Sequence, residues 1–336
     1  MPEWIGITLL WTLLYGYLIM SSIDFGAGFF ASYETAAGER NKMSEIITRF
    51  LSPVWEGVSM GLLLIMVALV YFFSNASSYL EPALFIPTGI GLILMILRGL
   101  FYFLNSYQKG KNNVLLLIYG VLGLCIPTVL SSALTISEGG YLEMQGGLLV
   151  FNLRVFLTSF YAWSVILLSV VSVLYISAMF LTFYADRVGD RETREKLRGY
   201  AIFWSGATLL ASSLVFLALQ QHNPEHFLHS LDFAWAFLLS LLCLLMAVTL
   251  VFQKKRLGFA FFMAALQYFF AFFGYGLSHL PYLIYPYVKL KSVSELHGVD
   301  SGILTAVVMG IALLLPSVIL VLRFFIQPKS QSNTKI

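Results

Sequence analysis

Charge is the scarcest feature of this sequence. Only 11% of its 336 residues are Asp, Glu, Lys or Arg, against about 25% in a soluble domain. By contrast, 59% are hydrophobic and 16% aromatic. No arrangement of that composition gives a mostly polar surface, which excludes a water-soluble domain and leaves a polytopic membrane protein. Cysteine is nearly absent. Cys125 and Cys243 each stand alone in an apolar run, which excludes a paired thiolate metal site and reads as core filling. A Gly-rich phosphate loop, an HExxH helix and a GxSxG elbow are also missing. The net charge of +3 is small, and nothing in its distribution points to nucleic acid. The first hydrophobic segment lacks a basic leader and a small-residue cleavage site, so it reads as a retained span.

What the chain has is long apolar runs. A span needs about 20 mostly apolar residues, and on that rule about nine segments qualify. They are roughly 4–33, 47–74, 78–107, 113–137, 155–185, 199–221, 231–253, 257–287 and 303–328. All are expected to be helices, because backbone polar groups in lipid must be satisfied within the segment. The fold expected is therefore all-α: a polytopic membrane protein of two four-helix bundles, 1–137 and 138–287, with a final helix and tail over 288–336. The division rests on the charged fifth connection, with no clean internal repeat to support it.

The connections give an orientation. Basic residues cluster in alternate ones: Arg40, Lys42 and Arg49; Lys109 and Lys111; Arg187, Arg191, Arg194, Lys196 and Arg198; Lys254, Lys255 and Arg256; and Arg323, Lys329 and Lys335 at the end. The others are nearly bare, with Arg154, Lys289 and Lys291. By the positive-inside rule the N-terminus lies outside and the C-terminus in the cytoplasm.

Three consecutive segments carry a charge where lipid is expected: Asp24, Glu56 and Arg98. Each costs at least ~2.5–3.5 kcal/mol at a helix centre. Each lies about nine residues from the inner end of its segment, a common depth of roughly 14 Å. Gly26, Gly28, Gly57 and Gly99 flank them and allow close helix approach. One reading is a helix-binding ion pair, with Glu56 the preferred partner of Arg98. The other is a proton-conducting position, since two acids and one base leave an acid without a partner.

Metal and haem signals are weak. Of five histidines, His222, His226 and His229 fall in the sixth connection, His297 in the eighth, and His279 near the end of a span. The spacing of the first three fits a divalent metal, but an exposed polar loop is the plainer reading. A haem would call for His or Met deep in the bundle. Met60, Met66, Met246 and Met263 lie in spans and read as core filling. No haem and no metal is expected on this chain alone.

Taken in order, the motifs resemble subunit II of cytochrome bd-type quinol oxidases. They are Asp24-Phe-Gly-Ala-Gly28, Ser52-Pro-Val-Trp-Glu-Gly57, Arg98-Gly-Leu-Phe-Tyr102, Ser177-Ala-Met-Phe-Leu-Thr-Phe and His279-Leu-Pro-Tyr-Leu-Ile-Tyr-Pro286. The resemblance spans essentially the whole chain. It implies a haem-free partner of a larger subunit I that carries haems b and d and oxidises quinol while reducing dioxygen to water. A small single-span third subunit is compatible with it. It also implies a bacterial cell membrane, a short-loop menaquinol-using type, and a proton or oxygen route through Asp24, Glu56, Arg98 and Ser21. Trp55, Gly26, Gly28, Gly57 and Gly99 would be motif and packing positions. Departures are visible: Ser21 stands where many members are acidic, Glu56-Gly-Val replaces Asp-Gly-Asn, and Tyr102 lies where an acid is common. A route copied from the full acidic set would be rerouted or absent here. The alternatives are a stand-alone proton-coupled transporter with Asp24, Glu56 and Arg98 as coupling site, and a purely structural partner. Pro87 and Pro127, the candidate kinks of a transporter, lie away from the charges.

Overall fold

A chain that must satisfy its backbone inside lipid folds into helices, and the computed structural model is a bundle of them. It describes residues 3–36, 58–59, 61–65, 86–107, 113–145 and 148–289. The expected spans 47–74, for the most part, and 303–328 lie outside the described residues, as do Trp55, Glu56 and Gly57.

The first helices are α1 Glu3–Ala36, α2 Ile86–Tyr107 and α3 Asn113–Ser137. An antiparallel hairpin follows, β1 Leu142–Gln145 with β2 Leu148–Phe151. The short α4 Leu153–Thr158 leads into α5 Phe160–Val188 and α6 Arg191–His222. A short α7 Pro224–Asp232 precedes α8 Ala234–Phe252 and α9 Leu257–His279. A second hairpin pairs β3 Tyr282–Ile284 with β4 Val288–Lys289. Among the described residues seven helices are long and apolar enough to cross a membrane: α1, α2, α3, α5, α6, α8 and α9.

Caps explain where the boundaries differ from those read in the sequence. Residue 155 was expected to lie in a span. Instead the Ser159 hydroxyl accepts from Ala162 N and starts α5 afresh. α5 ends at Gly189, whose φ of +81° is left-handed. Asp190 then caps α6, accepting from Thr193 N at 3.1 Å, so α6 starts eight residues before the expected 199. That charged first part is a solvated helical extension tied by surface pairs, Arg194 to Asp186 at 2.9 Å and Lys254 to Glu195 at 2.9 Å. α9 stops at His279 because Leu280-Pro281 follows, so 280–287 belongs to the second hairpin and not to the span. Neither hairpin was expected from the sequence.

α1, α2, α5 and α8 run one way and α3, α6 and α9 the other, giving the bundle two ends. The basic end holds the α5–α6 turn and Lys254–Arg256. The hairpin end holds both hairpins and α7. α5 is the most buried of the described spans and packs against α1, α3, α6 and α9. Small residues bring the backbones together: Ala27, Ala31, Ala178, Ala247, Ala260 and Ala264 are all fully buried. Tyr15 adds a hydroxyl bond from α1 to the Ala265 carbonyl at 2.8 Å.

Gly26 is the tightest point between α1 and α5. A Cβ there would lie 2.4 Å from Ser177 Cβ and 2.8 Å from the Val173 carbonyl oxygen. Gly26→Ala is therefore expected to lower the melting temperature of the solubilised protein, at a cost of about 1–3 kcal/mol for overpacking. Gly16→Ala, where the added atom meets nothing within 4 Å, leaves it unchanged or slightly raised. Equal melting temperatures for the two variants would contradict this packing.

Candidate functional site

Asp24 lies in the middle of α1 and Arg98 in the middle of α2, and both are fully buried. The structure brings them together. Arg98 Nη1 donates to Asp24 Oδ2, and Nη2 donates to the Asp24 backbone oxygen at 3.0 Å. One guanidinium thus holds both the side chain and the main chain of a single residue. Its flat faces are covered too. The Arg98 Cζ sits 4.1 Å from the Tyr119 ring centre and 5.0 Å from that of Phe25, contacts that contribute about 2 kcal/mol when desolvated.

Glycines make the room. A Cβ on Gly28 would lie 2.8 Å from Arg98 Nη2, and one on Gly123 3.4 Å from Arg98 Nε. A Cβ on Gly120 would lie 2.1 Å from Ser32 Oγ and 3.0 Å from the Gly28 oxygen. α1 and α3 therefore touch along Gly28, Gly120 and Gly123, and the guanidinium occupies the space left beside them. Gly99 follows Arg98 on α2 and is half-buried.

Among the described residues Asp24 is the partner of Arg98; Glu56, the partner preferred from the sequence, lies outside them. The common depth read from the sequence is what allows that contact. Ser21 is buried, but its hydroxyl donates back to the Leu18 oxygen at 3.3 Å. Asp24 Oδ1 and the hydroxyls of Tyr17 and Tyr119 are buried with no hydrogen-bond partner among the described residues. They form a patch of polar atoms beside the pair.

Sequence reasoning missed Tyr119, Tyr17 and Glu34. The signal for Tyr119 was its place before Gly120-x-x-Gly123, a small-residue seam. Glu34 was taken to lie past the span, but α1 continues to Ala36 and buries it. It accepts from Tyr200 OH at 2.9 Å, with Lys196 Nζ 3.9 Å away. Ten residues separate it from Asp24, about 15 Å toward the basic end. His226 corrects another expectation. It lies on α7 and is buried, not in an exposed loop.

The described histidines do not offer themselves to a haem within the spans. His222, His226, His229 and His279 all lie at the hairpin end. The first three hydrogen-bond to Gly139 O, to Glu138 and Ser278, and to Ser278 O.

Fold and site define a mainly helical, multi-pass membrane protein built around a buried ion pair. Residues 2–325 match the family model for cytochrome bd terminal oxidase subunit II, and the chain belongs to that family. It is 28% identical to the putative cytochrome bd menaquinol oxidase subunit II of Bacillus subtilis (strain 168), over 97% of this chain and 96% of the relative. It also matches a chain of the bd oxidase structure from Geobacillus thermodenitrificans, at 42% identity and a TM-score of 0.82. That match covers 96% of this chain and 98% of the other. The chain is thus a subunit of an oxidoreductase complex, and subunit II implies a subunit I. Family membership sets aside the stand-alone transporter.

Removing one member of a buried pair strands the other charge, at about 3–5 kcal/mol. Arg98→Leu is expected to lower the yield and melting temperature of the subunit sharply. The double variant Asp24→Leu with Arg98→Leu should recover most of the loss. A double variant as unstable as the single one would contradict the assignment of Asp24 as the partner.

Proposed function

We propose that this chain is the haem-free subunit II of a bd-type quinol:dioxygen oxidoreductase, and that it stabilises the haem-bearing subunit I and supplies a proton route from the cytoplasmic side. Haems b and d then belong to subunit I. The substrate is a quinol, and menaquinol is the one named for the Bacillus subtilis relative. Dioxygen reduction to water consumes protons, and a site inside the membrane needs carboxylates or water to deliver them. The positive-inside rule puts the basic end in the cytoplasm and the hairpin end outside the bacterial cell membrane. Residues 1–137 and 138–287 act as two bundles meeting along α1 and α5, with 288–336 as the final helix and tail.

The observation that carries this reading is the fully buried Asp24–Arg98 pair inside apolar spans. Arg98 engages Asp24 at both Nη groups, so proton exchange at Asp24 requires the pair to open. In this reading Asp24 and Arg98 set the local field, and Glu56, the second acid of the cluster, exchanges the proton. Glu34 stands at the mouth, buried at the basic end of α1. Ser21 and the Tyr17 hydroxyl extend the polar patch along the same helix.

Glu56→Gln is expected to slow quinol-driven oxygen consumption by the assembled complex on the order of tenfold or more. Haem content and assembly should be unchanged. Wild-type turnover in that variant would contradict the relay and leave the pair as helix packing alone.

A further inference from the structure

Two histidines at the hairpin end turn their rings onto one carboxylate. Glu138 follows α3 directly and is 1% exposed. Its Oε1 lies 2.7 Å from His226 Nδ1 and accepts from Asn223 Nδ2 at 2.9 Å. Its Oε2 accepts from the Tyr275 hydroxyl at 2.7 Å and faces His279 Nδ1 at 3.5 Å. The candidate ligand atoms of Glu138, His226 and His279 all lie within 4.8 Å of one another. They come from three places in the chain: the turn after α3, α7, and the last residue of α9.

Hydrogen bonds fix how His226 is presented. Ser278 Oγ donates to the Tyr275 oxygen at 2.8 Å, so it acts as acceptor toward His226 Nε2, 2.9 Å away. Nε2 therefore carries a proton, and Nδ1 is the nitrogen offered to Glu138. A ring with one nitrogen anchored as donor and the other aimed at the site is how metal-bound imidazoles are held. Asn223 is fixed as well, because its Oδ1 accepts from His226 N at 3.1 Å. Burial pushes the Glu138 carboxyl up, but its hydrogen bonds and charge interactions with His226 and His279 outweigh that and hold it well below the usual carboxylate range.

One imidazolium would neutralise this carboxylate. A second imidazole facing it through the same ring nitrogen exceeds what an ion pair needs. His222 and His229 are committed elsewhere, to the Gly139 oxygen at 3.0 Å and the Ser278 oxygen at 2.6 Å. The ligand set suggested by the 222–226–229 spacing is therefore not the one the fold assembles.

We propose that Glu138, His226 and His279 form a binding site for a divalent metal of the zinc class. Two imidazoles and a carboxylate suit Zn²⁺. The metal takes the position of the proton between His226 Nδ1 and Glu138, and that proton leaves to water. Ser278, Asn223 and Tyr275 hold the ligands in place. The bound ion ties the α3 turn, α7 and α9 together where both hairpins meet.

Zinc content tests this directly. The intact solubilised oxidase complex is stripped with a chelator, loaded with Zn²⁺, desalted and analysed by plasma mass spectrometry. His279→Asn and Glu138→Gln complexes are treated in parallel. The wild type should retain one more zinc per complex than either variant, and zinc should raise its melting temperature but not that of His279→Asn. Any zinc held by other subunits cancels in that difference. Equal zinc in wild type and His279→Asn overturns the proposal and leaves an ion pair only. If Glu138→Gln fails to assemble, His279→Asn decides alone, because its contact to the carboxylate is the longest of the four.

Discussion

The contact between Asp24 and Arg98 is the constraint around which the first three described spans are arranged. Neither charge is tolerable in this interior without the other. Their pairing fixes the relative height of α1 and α2, and the cover given by Tyr119 brings in α3. The flanking glycines follow from the same need. A guanidinium with aromatic rings on its faces demands space between helices, and only residues without a Cβ leave it at positions 28 and 123. Charge, aromatic cover and glycine spacing are therefore one feature seen three ways.

The rest of the bundle obeys a simpler rule. Hydrophobic burial does not discriminate one apolar span from another in lipid, so close backbone approach selects neighbours. The fully buried alanines of α1, α5, α8 and α9 are the result. α5 lies at the centre, and its Ser177 hydroxyl reaches the Ile23 carbonyl oxygen of α1 at 3.2 Å, opposite Gly26. At the hairpin end the logic reverses. Polar side chains from distant parts of the chain converge on Glu138 and supply the donors that a buried carboxylate needs.

Much of this was legible in the sequence because the signals are local. Seven of the expected spans match described helices, since an apolar run of span length can be little else. The shared depth of Asp24 and Arg98 followed from counting residues along helices, and Gly26 and Gly28 stood beside the charge they accommodate. Glu56, the preferred partner of Arg98 in the sequence, lies outside the described residues, and the contact made by Asp24 was not singled out because depth does not say which face of a helix a residue takes. The hairpins were hidden because strands of four residues or fewer carry little periodicity. Glu138, His226 and His279 were invisible as a group. They lie 88 and 53 residues apart in the chain, and only the packing of α3, α7 and α9 joins them.

In the proposed route two acids divide the labour: Asp24 is held in the pair with Arg98, and Glu56 exchanges the proton. Infrared difference spectroscopy of the oxidase complex, reduced minus oxidised, reads carboxyl protonation directly. A carboxyl signal is expected to survive Asp24→Asn and to disappear in Glu56→Gln. A signal that vanishes with Asp24→Asn and persists in Glu56→Gln would contradict it, and would make Asp24 the proton carrier.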